Sequence, residues 1–411
     1  MNWRRAWLPV LAALLCVLAP AVRALDESDE TQQLYRQALQ SIAEGRKSDA
    51  SAALMRVIER EPLHAGAWLD LALIQCALGH ADEAERLFTN IRERFNPPPG
   101  ILDLIAEARV AGCASWQPQG QGSISIGRGI DQNVNQGTRT TSYNTSAAGI
   151  AVELPLTDDF LPKHDQYTAV TADYLRDLSP NGTTGFAQFQ NRRYDRLGAY
   201  NSSSLFAGVD TPWRYGSWTL HGSASFGLIT LGSQLYQRQA QLQARIGPPL
   251  PLPGSMQFSL STSLSRVEYL TLSNFNANTG ELRGQFSYRQ EDTSASASVS
   301  LLDDRSSDAR PGGSRHGWLA TAQWRTPLWD QTTAELGYSH QRWRGSSDYS
   351  PGFIDVTRKQ DTQMLRATIT YPLTATQSLQ LEARQVRNRE NISIFQYNDR
   401  QLQLSWQWQG M

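Results

Sequence analysis

The chain is poor in the residues that staple or metallate a fold. Three cysteines cannot make a disulfide scaffold or a four-thiolate metal site. Six histidines are scattered singly, and a spacing such as His316 to His340 fits no metal motif. Neither sign of charge prevails: 38 basic residues against 39 acidic ones leave a formal net charge of -1. The pI near 6.6 lies far below the range of nucleic-acid-binding domains, so nucleic acid is not expected as a partner. Past residue 25 no run reaches the roughly 20 apolar residues that a helix needs to cross hydrocarbon, which excludes a bundle of transmembrane helices. No Gly-x-Ser-x-Gly elbow frames a serine, and no glycine-rich phosphate loop precedes a helix. The acidic pairs Asp158-Asp159 and Asp303-Asp304 read as solvated turns. No catalytic residue, metal site or cofactor is expected, and the chain does not read as an enzyme.

What is present falls into three stretches of the 411 residues. The first, 1–24, has the form of an export signal. Arg4 and Arg5 make a positive start, Ala6 to Ala19 is apolar, and small residues at 19/21 and 22/24 suit cleavage after Ala21 or Ala24. Cys16 lies inside the apolar run behind Leu15, so it does not read as a lipid acceptor.

The second stretch, 25–115, repeats with an offset of 34 residues. Leu34, Trp68 and Leu102 align, as do Ala38, Ala72 and Ala106. So do Gly45 and Gly79, Ala50 and Ala84, Leu54 and Phe88, and Val57 and Ile91. Pro62 and Asn96-Pro97 close the two units. Alanines that let helices approach, a glycine at the turn and a closing proline at this period make the tetratricopeptide pattern. A third unit stops after one helix, 101–111. The concave face of such a block would carry Tyr35, Leu39, Leu69 and Leu73, either as a groove for a client peptide or as packing residues. Cys76 and Cys113 fall on neighbouring helices, where they form either a disulfide, in an oxidising compartment, or simple core positions.

In the third stretch, 116–411, the hydrophobic period changes to two. Met256, Phe258, Leu260 and Leu264 interleave with Gln257, Ser259, Ser261 and Ser263; Leu402, Leu404, Trp406 and Trp408 interleave with Gln401, Gln403, Ser405 and Gln407. The alternation often runs beyond the 5 or 6 residues usual for a soluble sandwich strand. It suits a tilted strand that crosses a membrane, and such a sheet must close on itself because hydrocarbon pairs no backbone group. Trp218, Trp318, Trp324 and Trp408 sit where an interfacial girdle would lie. Proline-bearing turns at Leu154-Pro155-Leu156, Thr211-Pro212-Trp213, Pro248 to Gly254, Thr326-Pro327-Leu328 and Tyr371-Pro372-Leu373 mark one side, expected to be periplasmic. Longer polar connections at 132–144, 178–197, 269–280, 304–314, 345–360 and 390–397 mark the other. The strands expected are 121–131, 145–154, 166–177, 199–210, 217–229, 234–246, 255–268, 280–290, 293–303, 315–326, 331–343, 361–371, 377–389 and 398–409, fourteen in all. The segment 182–196 fits a strand by pattern, but counting it gives fifteen and breaks the alternation of turn types, so it is assigned to a long external loop or a strand extension. The fold class is therefore a short helical tetratricopeptide-like domain followed by a closed antiparallel transmembrane barrel of about 14 strands. The lumen is expected to be lined mostly by Gln, Ser and Arg.

A signal peptide, a short repeat block and a fourteen-stranded barrel together resemble the Slam family, the surface lipoprotein assembly modulators of Gram-negative outer membranes. Ser123-Ile124-Ser125-Ile126-Gly127 after Trp116, and then Asp131, Asn133, Val134 and Asn135, look like that family's first barrel strand and the Asp-x-Asn-Val-Asn stretch that follows it. The resemblance implies delivery of lipoproteins or related secreted proteins from periplasm to cell surface, with no enzymatic step and no cofactor. It implies a client protein, outer-membrane lipid and the barrel-assembly machinery as partners. An exopolysaccharide-export porin with periplasmic repeats and a passive diffusion porin are the alternatives from other classes.

Overall fold

The computed structural model describes residues 27–113, 118–147, 150–215, 217–329 and 331–410. The expected signal segment and Trp116 lie outside the described residues. The chain divides at Trp116/Gln117 into two compact units.

Among the described residues the first unit holds five helices: α1 (Glu27–Ala43), α2 (Lys47–Arg60), α3 (Ala65–Ala77), α4 (Ala81–Phe95) and α5 (Pro99–Ala111). Helices α2 and α4 begin at 47 and 81, and α3 and α5 at 65 and 99, so the 34-residue period is a period of helical hairpins. The aligned residues Ala38, Ala50, Leu54, Val57, Ala72, Ala84, Phe88 and Ile91 form the core and are at most 2% exposed. Gly45 and Gly79 turn the chain with φ of +74° and +82°, a region that L side chains enter at a steric cost. Helix α5 has no second helix of its own among the described residues. Its Leu102 and Ala106 are accordingly exposed, while Ile105 is buried. Cys76 and Cys113, 37 positions apart in the chain, form a disulfide with Cα atoms 4.4 Å apart. It ties α3 to the end of this half repeat. A bridge of this kind contributes about 2–4 kcal/mol and persists in an oxidising compartment.

The second unit is a closed barrel in which every strand is antiparallel to both neighbours. Its strands are β1 (Gly120–Asp131), β4 (Asp165–Asp177), β5 (Thr184–Tyr194), β6 (Ser202–Tyr215), β7 (Trp218–Leu231), β8 (Gln234–Gly247) and β9 (Met256–Tyr269). The rest are β10 (Ala277–Gln290), β11 (Thr293–Ser306), β12 (Arg315–Pro327), β13 (Thr333–Ser350), β14 (Ile354–Pro372), β15 (Gln377–Glu390) and β16 (Tyr397–Gly410). Strand β1 closes the ring, pairing with β4 on one side and with β16 on the other, from Gly122↔Gly410 to Asp131↔Gln401. Both ends of the barrel chain therefore emerge at one end of the barrel. The connections at that end are 178–183, 216–217, 248–255, 291–292, 328–332 and 373–376. The longest connection, 132–164, lies at the opposite end and contains a small separate hairpin, β2 (Ser142–Ala147) and β3 (Ile150–Pro155).

The barrel has fourteen strands, but two expected assignments change places. The segment 145–154 is not a barrel strand; it belongs to the hairpin β2–β3, whose six-residue strands are shorter than the 9–11 residues that span hydrocarbon. The segment 182–196, expected to be a loop, contributes the barrel strand β5. Its upper outward positions are Asn191 and Arg193, opposite Ser203 and Thr168, so the apolar alternation that marks other strands is broken there. As a result Leu154-Pro155-Leu156 lies at the end opposite to the one expected. Residues 178–183 form a tight turn at the chain-terminal end rather than part of an external loop.

The outward face is apolar and open. Ile124, Leu242, Leu264, Phe286, Val299, Leu365 and Leu404 are 42–62% exposed, a continuous band that water would not tolerate on a soluble protein. With no free edge and strands of 11–19 residues, the sheet satisfies its backbone as hydrocarbon requires. It is a multi-pass outer-membrane barrel. Trp213, Tyr215, Trp324, Tyr371 and Trp408 on this face girdle the end where the chain termini emerge, as interfacial aromatics do.

Candidate functional site

The inner wall is built by the alternate residues. On β8 and β9, Gln239, Gln241, Gln243 and Arg245 face Val267, Ser265, Ser263 and Ser261 across the register. On β11 and β12, Ser294, Ser296 and Ser298 face Arg325, Gln323 and Thr321. This serine, glutamine and arginine surface is the expected lumen. Arg289 and Arg325 flank Ser294 from β10 and β12. They line a recess of about 540 Å³ with Gln257, Gln285, Gln323 and Glu335. Glu335 is engaged by Arg366 at 2.9 Å. Arg245, Arg289 and Arg325 have no carboxylate partner among the described residues.

The opposite part of the wall differs from that expectation. Here β1, β4, β5 and β16 present aromatic and acidic side chains. Tyr167 and Tyr194 meet edge to face at 5.7 Å, and Arg192 stacks on Tyr167 at 4.2 Å. Tyr194 Oη donates to Asp131 Oδ2 at 2.9 Å. Gln401 Nε2 donates to both Asp131 and Asp399, at 3.0 and 2.7 Å. Tyr167 Oη reaches Gln403 at 3.1 Å. Tyr167 can lie flat only because β1 carries Gly129 beneath it, where an added Cβ would meet the ring at 2.4 Å. Gly127 likewise makes room for Ser405 and Gln403. Asp131 stands out in the sequence as part of the first-strand motif, but its partners Tyr194 and Gln401 lie far from it in sequence, so the cluster is not legible there. The signal that could have found it was Gly127-x-Gly129 within a strand, a mark of close side-chain approach.

The Asp131, Asn133, Val134, Asn135 stretch sits where β1 leaves the wall. Asn133 N–H donates to Asp131 Oδ1, and its Nδ2 donates to Gly137 O and Asn398 O, each at 2.9 Å. Val134 N–H donates to Lys163 O at 2.8 Å. Asn135 Nδ2 holds the carbonyls of Asp159 and Leu161. The motif thus folds the start of the long connection onto its own return leg and onto the rim of β16. Farther along, Tyr143 is buried with Ile354 and Ile392 against other rim segments. Asp159 accepts from Lys163 at 2.6 Å, which holds its carboxyl below the ordinary range. Of the two acidic pairs, Asp158-Asp159 is therefore a loop feature. Asp304 is buried and held by Arg310 and Arg315 at 2.9 Å, while Asp303 pairs outward with Arg305. Among the described residues no group of three potential ligands could hold a metal.

In the helical unit the four groove residues are placed differently from one another. Tyr35 packs on His64 with ring centroids 4.3 Å apart and donates to Asp70 at 2.7 Å. Burial together with the Asp70 bond pushes its hydroxyl up to about 12. Leu69 and Leu73 are half-buried against the helical core, and Leu39 is 40% exposed.

No protein-family model and no curated protein matches the chain. Among solved structures it is similar to an OmpT loop-deletion variant, an outer membrane protein of Vibrio cholerae, at 6% identity and a TM-score of 0.40, covering 72% of this chain and 99% of that one. It is also similar to the outer membrane channel DcaP of Acinetobacter baumannii, at 9% identity and a TM-score of 0.40, covering 71% and 97%. A Pseudomonas aeruginosa FadL homologue matches at 10% identity and a TM-score of 0.39, covering 71% and 90%. Similarity this low carries no argument about what this barrel does.

Proposed function

We propose that the chain is an outer-membrane translocator whose tetratricopeptide-like unit receives a lipoprotein or related secreted protein in the periplasm and whose barrel delivers it to the cell surface. One observation carries this reading. Helical hairpins of a 34-residue period precede, on one polypeptide, a polar-lined barrel whose two chain ends emerge at the end bearing the short turns, the periplasmic end of outer-membrane barrels. Stacked hairpins offer the extended surface on which such repeats hold peptides. Leu39 and the Tyr35–His64 pair are the first positions to test on that surface, and the barrel would supply a route bounded by its closed wall. The resemblance to the Slam family points to the same role.

The test is surface biotinylation of the lipoprotein set in cells that carry the full chain, no chain, or a chain lacking residues 31–111. A lipoprotein that leaves the labelled fraction in both deletions supports the proposal. An unchanged surface lipoprotein set overturns it, and loss of a surface polysaccharide in its place would mark the export-porin alternative. A diffusion porin is a second reading, favoured by Arg245, Arg289 and Arg325 on the inner wall, which have no carboxylate partner among the described residues. It requires anion-selective conductance in planar bilayers with no dependence on a client.

A further inference from the structure

Outward-facing cations crowd one sector of the barrel at the end away from the chain termini. On β13 to β16, Arg342, Arg344, Lys359, Arg387, Arg389 and Arg400 are all exposed. The register puts them on the lipid-side face: Arg342 lies opposite Asp361, Arg344 opposite Lys359, and Arg389 opposite Asp361. Arg387 and Arg389 alternate with the buried Asn388 and Glu390 of the inner face. Arg400 stands opposite Gln385, diagonal to Arg387. Asp361 is engaged by Arg342 at 2.5 Å and by His340 at 3.0 Å. Arg344, Lys359, Arg387, Arg389 and Arg400 have no carboxylate partner among the described residues.

Elsewhere at this end the chain neutralises several of its own outward arginines. Arg128 is held by Asp195, Arg266 by Glu268 at 2.8 Å and Arg305 by Asp303 at 2.9 Å. On β13 to β16 Asp361 holds Arg342, but the other five outward cations have no such partner among the described residues, and like charges set directly across a strand pair, as Arg344 and Lys359 are, cost stability. A recess of about 630 Å³ opens at the same place. It is lined by Arg387, Arg389 and Arg400 together with Arg139 from the long connection. The outward face then continues toward the chain termini as Leu365, Ile369, Leu381, Leu402 and Leu404, all at least 40% exposed.

We infer that this sector is a binding site for a phosphate-bearing lipid of the surrounding leaflet, with its headgroup held in the arginine recess and its acyl chains on the leucine face below. Several guanidinium forks with no internal partner suit a multiply charged phosphate headgroup, which they can engage bidentately. Continuity with the apolar band selects a lipid over a soluble anion, because only an amphiphile fills both surfaces. The lipid would neutralise the sector and set the depth and rotation of the barrel in the membrane.

The experiment is native mass spectrometry of the full chain in a neutral detergent, titrated with a diphosphorylated glucosamine lipid, with its dephosphorylated form, and with inorganic phosphate. The wild-type chain should bind the phosphorylated lipid at least about tenfold more tightly than the dephosphorylated one, and Arg387→Gln/Arg389→Gln/Arg400→Gln should lose about that factor. Inorganic phosphate should not displace the lipid. Equal binding by the triple variant, equal binding of the dephosphorylated lipid, or displacement by phosphate alone would each overturn the proposal. Heat-dependent gel mobility reports whether the triple variant folds. If it does not, Arg344→Gln/Lys359→Gln serves, since it removes a repulsive pair and should weaken lipid binding without loss of the folded barrel. The assay does not depend on a client, so failure here leaves the translocation reading standing.

Discussion

The helical unit and the barrel spend their apolar side chains in opposite ways. In the helices Leu54, Val57 and Phe88 are at most 1% exposed; in the barrel Leu242 and Leu264 are 62% and 60% exposed. The same residue type is core in one unit and surface in the other, because the solvent differs. Water drives the helical leucines together. Lipid leaves the strand leucines where they are, and the barrel depends on its closed hydrogen-bonded ring instead. The polar residues are inverted to match: glutamine and serine that would lie outside a soluble sheet line the lumen.

The sharpest break of this contrast is a truncation in the helical core. Leu54→Ala removes a side chain with no exposure and should cost about 2–5 kcal/mol in chemical unfolding followed by helical circular dichroism, while heat-dependent gel mobility of the barrel stays as in wild type. A barrel that failed with it would show that the two units do not fold separately. Next in size is a charge on the lipid face. Leu264→Arg should destabilise the barrel by about 2–4 kcal/mol in denaturant unfolding from liposomes. Gln243→Arg, on the neighbouring strand but on the inner face, should cost little. Equal costs would mean that the faces are assigned the wrong way round. The smallest effect separates the units by pH. Tyr35 titrates near 12 when folded against an ordinary value of 10.0. The unfolded chain therefore loses this proton first, and the contribution of Tyr35, complete below pH 10, is lost as pH rises toward 12. Tyr35→Phe should flatten that decline in a thermal melt of the helical signal; an unchanged slope would exclude the buried Tyr35 hydroxyl as its source.

The legible part of the fold rests on repetition. The aligned alanines, glycines and bulky residues of the helical block mark its hairpins before any coordinate is known, because each repeat must bury the same face against its neighbour. Strands such as β8, β9 and β16 are equally legible, since two clean faces impose a period of two. The strand β5 also fits by pattern, and it is set aside only because it makes fifteen once 145–154 is counted. The hairpin β2–β3 takes its place in that count, since Ile150, Val152 and Leu154 alternate, but the run is too short to cross hydrocarbon. The count of fourteen survived because the two errors cancel. The polar network around Tyr167 was invisible in sequence, since its members are brought together by register across four strands.

Composition and period alone decide that this chain has a helical repeat block and a membrane-spanning sheet, because both follow from which faces must avoid water. Only the tertiary structure decides which strands close the ring, and that Tyr167, Arg192, Asp131 and Gln401 share one wall. Of the outward arginines of β13 to β16, Arg342 is held by Asp361, and those left without carboxylates among the described residues are Arg344, Arg387, Arg389 and Arg400. These facts depend on pairing between residues far apart in the chain, and a shift of one residue in any strand would turn each side chain to the other face.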